Sequence, residues 1–300
     1  MAAAQNGVRY PEYLVETDWL EQHLSDPDLR VFDCTIVAGP NPDPVQGKKF
    51  PFVFENGRSH FGEAHIPGAG FIDLLADLSD KSSKLPLMVP SEQQFVDAMS
   101  QYGVGDGTRV VLYSTSEPMW AARVWWMLRS FGFDNAAILN GGWAKWTAEG
   151  RPVSSEPFTY SPVRFTARFR PGTFVGKDDV LAAIGDNSVC TINALPPAMH
   201  AGTGGPVFGR KGRIAGSVNV PSGSLHDPET GTYLPADQLP KIFDGVRAGE
   251  ADKIIAYCGG GIASSNNAFA LTLLGYDNVA VYDASMFEWG NDESLPMEQG

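Results

Sequence analysis

Cysteine is scarce: three in 300 residues, Cys34, Cys190 and Cys258, with no CxxC pair and no His/Cys cluster at zinc-ligand spacing. That excludes a disulfide framework and a structural metal as organising devices. Positive charge is scarce too, since 22 Lys and Arg face 35 Asp and Glu and leave a net charge of −13. A nucleic-acid partner would need a basic face to displace counterions, so that class is set aside. Long apolar runs are missing: nowhere do about 18 uncharged apolar residues follow one another. The opening MAAAQNGVRYPEYLVETDWLEQ has neither the basic start nor the apolar core of a secretory leader, so the expectation is a cytoplasmic chain with no membrane partner. What is present, 43% hydrophobic, 11% aromatic and 19% charged residues, is the composition of a globular protein, and the length suggests about two domains of roughly 150 residues.

The two halves can be laid on each other. RVVLYS at 109–114 precedes RSFGFDNAAILNGGWAKW, and KIIAYC at 253–258 precedes LTLLGYDNVAVYDASMFEW. Trp146 stands as far past Ser114 as Trp289 does past Cys258, to within one residue. Earlier, HFGEAHIPGAGFIDL at 60–74 answers FGRKGRIAGSVNVP at 208–221, and LRVFDCT at 29–35 answers SVCTINA at 188–194. Short β-branched runs such as VVLY and IIAY alternate with helical-period stretches such as MWAARVWWMLRSFG, the pattern of βαβ units around a parallel sheet. The non-periodic GRPVSSEPFTYSPVRFTARFRPG at 150–172 reads as an extended linker. The expected domains are residues 1–155 and 156–300.

The sharpest local signal is IIAYCGGGIASSNNAFALTLLG at 254–275, a buried strand running into a glycine-rich turn and an apolar-faced helix. Cys258 falls at the carboxyl end of the strand, the edge at which open α/β sheets bind ligands. Gly259, Gly260 and Gly261, followed by Ile262 and Ala263, can turn tightly enough to point successive N–H groups inward as an anion cradle. Helix N-terminal amides favour thiolate over thiol, which makes the sulfur a nucleophile and would stabilise a bound persulfide. On these residues alone a phosphate loop or a structural turn stays open, although GGGIAS fits neither GxGxxG nor a lysine-bearing Walker loop. A C-x₅-R phosphatase loop is disfavoured because the residue at that offset is Ser264.

With HIPGA at 65–69, ARVWWMLRSFGF at 122–133, LNGGWAKW at 139–146, RIAGSVNVP at 213–221, YCGGGIAS at 257–264 and VYDASMFEW at 281–289, the chain resembles the tandem-domain rhodanese and mercaptopyruvate sulfurtransferase family over nearly its whole length. The resemblance implies an α/β fold of two tandem rhodanese-like domains, each a small parallel sheet flanked by helices. The first would lack the catalytic cysteine, here Ser114, and the second would act through Cys258 at a cleft between them. It implies sulfane sulfur taken from a small donor (thiosulfate, mercaptopyruvate or another persulfide or thiol donor), held as a persulfide and passed to a thiol or cyanide acceptor by ping-pong covalent catalysis, with no cofactor. A noncatalytic sulfur carrier or partner-binding protein is the alternative. A Cys-His thiol hydrolase lacks an identifiable residue set.

The departures from the family also carry expectations. The loop after Cys258 holds no charge, nearer the mercaptopyruvate type, yet Gly260 stands where that type has a hydroxyl, so a serine relay in the loop is expected to be absent. The carboxylate-binding arginines expected after the strand end are replaced by Ile192, Asn193, Ala194, Leu195, Pro196 and Pro197. Arg210, Lys211 and Arg213 are candidate substitutes, with a solvated basic turn as the plainer reading. Weak binding of mercaptopyruvate and thiosulfate, and a preference for a less charged donor, follow. His65 is either a proton shuttle near the cleft or a structural residue. Trp120, with Met119, is expected to wall the cleft, Trp125 and Trp126 to be helix core, Glu117 to be surface, and Arg123 to tie a helix to the loop. Serine is expected to be tolerated at position 260 and a β-branched residue to distort the cradle. Cys34 and Cys190 read as inert buried thiols.

Overall fold

The computed structural model describes residues 8–300 with the exception of Arg247. The chain runs twice through one succession of elements. The first half gives β1 (Leu14–Val15), α1 (Thr17–His23), β2 (Leu29–Asp33), β3 (Ile36–Pro40), β4 (Phe52–Asn56), α2 (Arg58–Glu63), β5 (Gly70–Phe71), α3 (Glu92–Gln101), β6 (Arg109–Tyr113), α4 (Met119–Ser130), β7 (Ala136–Leu139) and α5 (Gly142–Ala148). The second gives β8 (Phe174–Val175), α6 (Lys177–Ala183), β9 (Val189–Asn193), α7 (Pro197–His200), β10 (Arg213–Ile214), β11 (Val218–Asn219), α8 (Leu239–Asp244), β12 (Lys253–Tyr257), α9 (Ile262–Leu273), β13 (Val279–Tyr282), α10 (Ser285–Trp289) and β14 (Met297–Glu298).

Two five-stranded sheets result, ordered β1-β7-β6-β2-β5 and β8-β13-β12-β9-β11, so the second repeats the topology of the first strand for strand. All pairings within both are parallel. The central strands β6 and β12 are buried after their first residue, as a parallel sheet covered by helices on both faces requires. In register, Tyr113 pairs with Asp33 and Tyr257 with Asn193, so Ser114 and Cys258 leave their sheets at the same point.

The two halves share one apolar core. α4 and α9 are buried on nearly every face, the mark of helices enclosed by protein all round. Trp125 meets Phe269 edge to face with ring centroids 4.8 Å apart, a geometry favoured by the ring quadrupoles. Trp126 donates its Nε1 hydrogen to the Thr173 carbonyl at 3.3 Å. The extended segment after α5 hydrogen-bonds to the first half, through Ser154 with His65, Val163 with Ser100 and Arg168 with Phe131. β3 and β4 form an antiparallel ribbon outside both sheets, with no counterpart between β9 and β11. From it Lys48 accepts a hydrogen bond from the Gly209 amide, and Phe50 and Phe52 pack on Phe287 and Phe208 at ring separations of 5.4 and 6.3 Å. The first half therefore reaches over the second.

Asp33 and Asn193, at equivalent strand ends, do the same local work: each accepts from the amide two residues on, Thr35 at 2.8 Å and Leu195 at 2.9 Å. The aspartate is the costlier version. Its Oδ2 is buried without a partner, and burial pushes its carboxyl up from 3.8 to about 6, against the pull of Thr35 and the nearby His65. A raised folded-state value means the fold penalises the charged form, so the cost builds as pH rises from about 4 to about 6 and is complete above that. Asp33→Asn is therefore expected to stabilise the chain by about 2–3 kcal/mol at pH 7.5 and to make little difference at pH 4. Denaturant titrations at the two pH values check this, and a pH-independent difference would contradict it.

Candidate active site

Cys258 leaves β12 directly and is 2% exposed. Its amide donates to Ser285 Oγ at 3.0 Å, and that hydroxyl donates on to the Tyr282 carbonyl at 2.6 Å. The Cys258 and Gly259 carbonyls accept from Met286 and Phe287 at 3.1 and 2.8 Å, which staples the turn to α10. Ser285 holds φ of +47°, a left-handed value rare outside glycine and typical of strain retained at a functional turn. Among the described residues, the amides of Gly259, Gly260 and Gly261 have no hydrogen-bond acceptor, and the first-turn amides of α9 have none within the helix. These free donors beside the sulfur can hold a developing negative charge.

Two of the three glycines are required by space and the third also by its backbone. A Cβ on Gly259 would lie 2.5 Å from the Phe208 ring, and one on Gly260 would overlap the Phe287 ring outright. Gly261 has φ of +79°, and a Cβ there would lie 2.7 Å from Asp283 Oδ1 and 3.0 Å from an Arg123 guanidinium nitrogen. Arg123 comes from α4 in the first half and pairs with Asp283 at 2.7 Å. It also donates to the Leu87 carbonyl at 2.9 Å, while Asp283 Oδ2 accepts from the Val89 amide at 2.7 Å. The cradle of the second half thus rests on an ion pair completed by the first. The expected link from helix to loop through Arg123 is present, and it crosses between the halves.

The expectation that serine fits at position 260 is corrected by the Phe287 overlap, since that ring is itself buried between Phe50 and Phe208. The loop itself carries no hydroxyl at position 260, but one reaches the sulfur from beyond it: Ser264 Oγ donates to Cys258 Sγ at 3.5 Å from the first turn of α9. Ser264 entered the sequence reading only as the absence of an arginine.

A cavity of about 170 Å³ opens on the sulfur. From the first half it is lined by Ala38, Phe52, Phe54, Leu87, Met119 and Trp120. From the second it is lined by Leu195, Phe208, Phe287 and the loop residues Cys258, Gly259, Gly260, Ile262 and Ala263. Apart from Cys258 no lining side chain ionises. The structure brings Trp120 to the loop as expected and leaves the other three candidates elsewhere. His65 is buried with its ring nitrogens 2.7 Å from the Phe61 carbonyl and 3.0 Å from that of Glu156, and its ring stacks on Phe61. It tethers the linker and does not line the cavity. Arg210 spends its guanidinium on the carbonyls of Gly290, Leu295, Trp289 and Asp292. Arg213 spends its own on the Gly300 carbonyl and on Glu298 at 3.4 Å. Neither reaches Cys258. Phe52, Phe54, Phe208 and Phe287 are the cavity rings that sequence reasoning missed, along with Ala38 and Leu87, and the only signal for the first two is the alternation of FVFE in β4.

The other thiols have no comparable setting. Cys34 is fully buried and burial pushes it well above its usual value, with Asp33 adding to the effect. Burial raises Cys190 to about 11. Among the described residues no cluster of His, Cys, Asp and Glu could hold a metal.

The chain matches the model of the rhodanese-like domain twice, over residues 16–149 and 179–292. It is 33% identical to the 3-mercaptopyruvate sulfurtransferase of Escherichia coli, with 95% of this chain and 98% of the relative covered. It is 31% identical to a sulfur carrier protein of Thermus thermophilus, covering 98% and 99%. The crystal structure of the E. coli 3-mercaptopyruvate sulfotransferase superposes with a TM-score of 0.76 at 32% identity, covering 91% of this chain and 98% of that one. The chain belongs to the rhodanese family and consists of two tandem rhodanese-like α/β domains.

Gly260→Ser is expected to cost stability by about 1–3 kcal/mol, the usual penalty for overfilling a packed site, together with most of the reactivity of Cys258. Thermal unfolding and the rate of Cys258 alkylation check the two halves of this expectation. Wild-type values in both would show that Phe287 yields freely.

Proposed function

We propose that this member of the rhodanese family is a sulfurtransferase whose Cys258 takes a sulfane sulfur from a small donor, holds it as a persulfide and passes it to a thiol or cyanide. The observation that carries the reading is the conjunction around Cys258 of a strand end, loop amides without an acceptor and the Ser264 hydroxyl at the sulfur. In the first step the Cys258 thiolate attacks the transferable sulfur of the donor and the Cys258 S–S bond forms; the bond that breaks is the S–S bond of thiosulfate or of a persulfide, whose carrier leaves as sulfite or as a thiolate, or the C–S bond of mercaptopyruvate, which leaves as the enolate of pyruvate. Loop amides and Ser264 receive charge on the inner or outer sulfur as it shifts between the two. In the second step the acceptor thiolate attacks the outer sulfur and the electron pair returns to Sγ. In each step one bond to the transferred sulfur replaces another, S–S or, with mercaptopyruvate as donor or cyanide as acceptor, C–S, so no external oxidant or cofactor enters.

In this reading residues 1–155 form the domain without a nucleophile and residues 156–300 the catalytic one, with the extended segment after the division packed back on the first. Gly259 to Ala263 serve as the cradle and Trp120 as a wall of the substrate cavity. The Thermus relative, named as a sulfur carrier, supports a second reading in which the persulfide is handed to a protein and small-molecule turnover is slow. Among the described residues no helix is long and apolar enough to cross a membrane, and the three cysteines are free. We place the protein in the cytoplasm, where such thiols stay reduced, and the net charge of −13 gives no attraction for nucleic acid.

Incubation with a sulfur donor is expected to add one sulfur, about 32 Da, to Cys258 alone. Cys258→Ala should abolish adduct and transfer, and the Cys34→Ala/Cys190→Ala double variant should retain both. Tryptic mass spectrometry checks the site, and an adduct confined to Cys34 or Cys190 would contradict the mechanism.

A further inference from the structure

The cavity against Cys258 is made almost wholly of hydrocarbon. Five rings, those of Phe52, Phe54, Trp120, Phe208 and Phe287, surround it together with Leu195. Cys258 is nearly inaccessible except through this space. A carboxylate or sulfonate placed here would lose its water and find no cationic side chain in exchange, a costly transfer. Arg210 and Arg213 are already bonded to carbonyls and to Glu298, and Arg123 lies beneath the loop, paired with Asp283. The size is also informative: an apolar cavity of about 150 Å³ holds a benzene ring, and this one is about 170 Å³.

We propose that the thiol or persulfide served by Cys258 carries an uncharged apolar group, of the size of a single aromatic ring or a branched alkyl chain, which sits in this cavity while its sulfur meets Sγ. The proposal rests on the sulfur-transfer reading above and narrows it to a substrate class. Specificity then comes from both halves. The β3–β4 ribbon supplies Phe52 and Phe54 from the first, and Leu195, at the strand end where the resemblance led us to expect a carboxylate-binding arginine, supplies an apolar wall from the second. In the discharge step the acceptor thiolate R–S⁻ attacks the outer sulfur of Cys258–S–SH, R–S–SH forms, and the S–S bond to Sγ breaks with its electron pair returning to the cysteine. The proton stays on the transferred sulfur and nothing is oxidised overall.

The test separates loading from discharge. Cys258 of the full chain is loaded with inorganic polysulfide, which carries no organic group, and freed of excess reagent. Single-turnover loss of the persulfide is then followed by mass spectrometry with phenylmethanethiol, 2-mercaptoethanol or 3-mercaptopropionate, each rate being divided by that of the same thiol with a small-molecule persulfide. The aromatic thiol is expected to lead by at least about tenfold, the discrimination a hydrophobic pocket ordinarily achieves, and the carboxylate to be slowest. Leu195→Arg should invert the order of the aromatic thiol and the carboxylate. Ala38→Leu, which fills the cavity from the ribbon side, should remove the aromatic advantage. Equal normalised rates in the wild type, or a lead for the carboxylate, would overturn the substrate class while leaving sulfur transfer intact. Failure of polysulfide to load Cys258 would overturn the sulfur-transfer reading itself.

Discussion

The site depends on one buried ion pair. Arg123 is fully buried in α4 of the first half and meets Asp283, which follows β13 of the second half, directly beneath Gly261. The arginine side chain is wholly shut off from solvent. Two of the arginine's nitrogens, Nε and one terminal NH, have no hydrogen-bond acceptor, so removing either partner would strand a charge, the circumstance in which a buried salt bridge matters most. Through the Val89 amide and the Leu87 carbonyl the pair also anchors the segment before α3. The cysteine loop of one half is thus shaped by the other, and the first half serves as scaffold and as cavity wall.

That arrangement explains how an uncharged loop can still serve a sulfur anion. Gly259 to Ile262 offer backbone amides as their polar groups, Ser264 contributes a hydroxyl, and the Arg123 cation sits below the loop, not in it. Paired with Asp283, that cation holds the turn in shape without presenting a side chain to the substrate. The cavity above is therefore free to be apolar, and the ribbon of β3 and β4 closes it with phenyl rings. Electrostatics on one side of the loop and hydrocarbon on the other are separated by a single layer of glycine backbone, too thin to admit a Cβ at any of its three positions.

Much of this was legible from sequence, for physical reasons. The repeat of strand, turn and helix put Ser114 and Cys258 at equivalent strand ends, because each βα unit must spend its residues in the same order. The candidate nucleophile could be singled out because a cysteine before three glycines and a helix has few structural uses. The basic candidates stayed open because spacing shows that Arg210 and Arg213 follow the strand but not that backbone carbonyls already claim them. His65 was ambiguous for the same reason. The ribbon went unread since it falls between repeated elements, and its phenylalanines join Phe208 and Phe287 only in three dimensions. Gly260 was read as a conformational requirement, whereas its constraint is the ring of Phe287.

The dependence of Cys258 on the first half is best tested by a double-mutant cycle on Arg123 and Asp283, with the rate of persulfide formation on Cys258 as the readout. Arg123→Met and Asp283→Asn should each slow loading at least about tenfold while the chain remains folded, and the double variant should be no slower than the worse single one, since the two residues act as one unit. Independent losses that multiply, or a wild-type loading rate in Arg123→Met, would show that the second half shapes its own cradle.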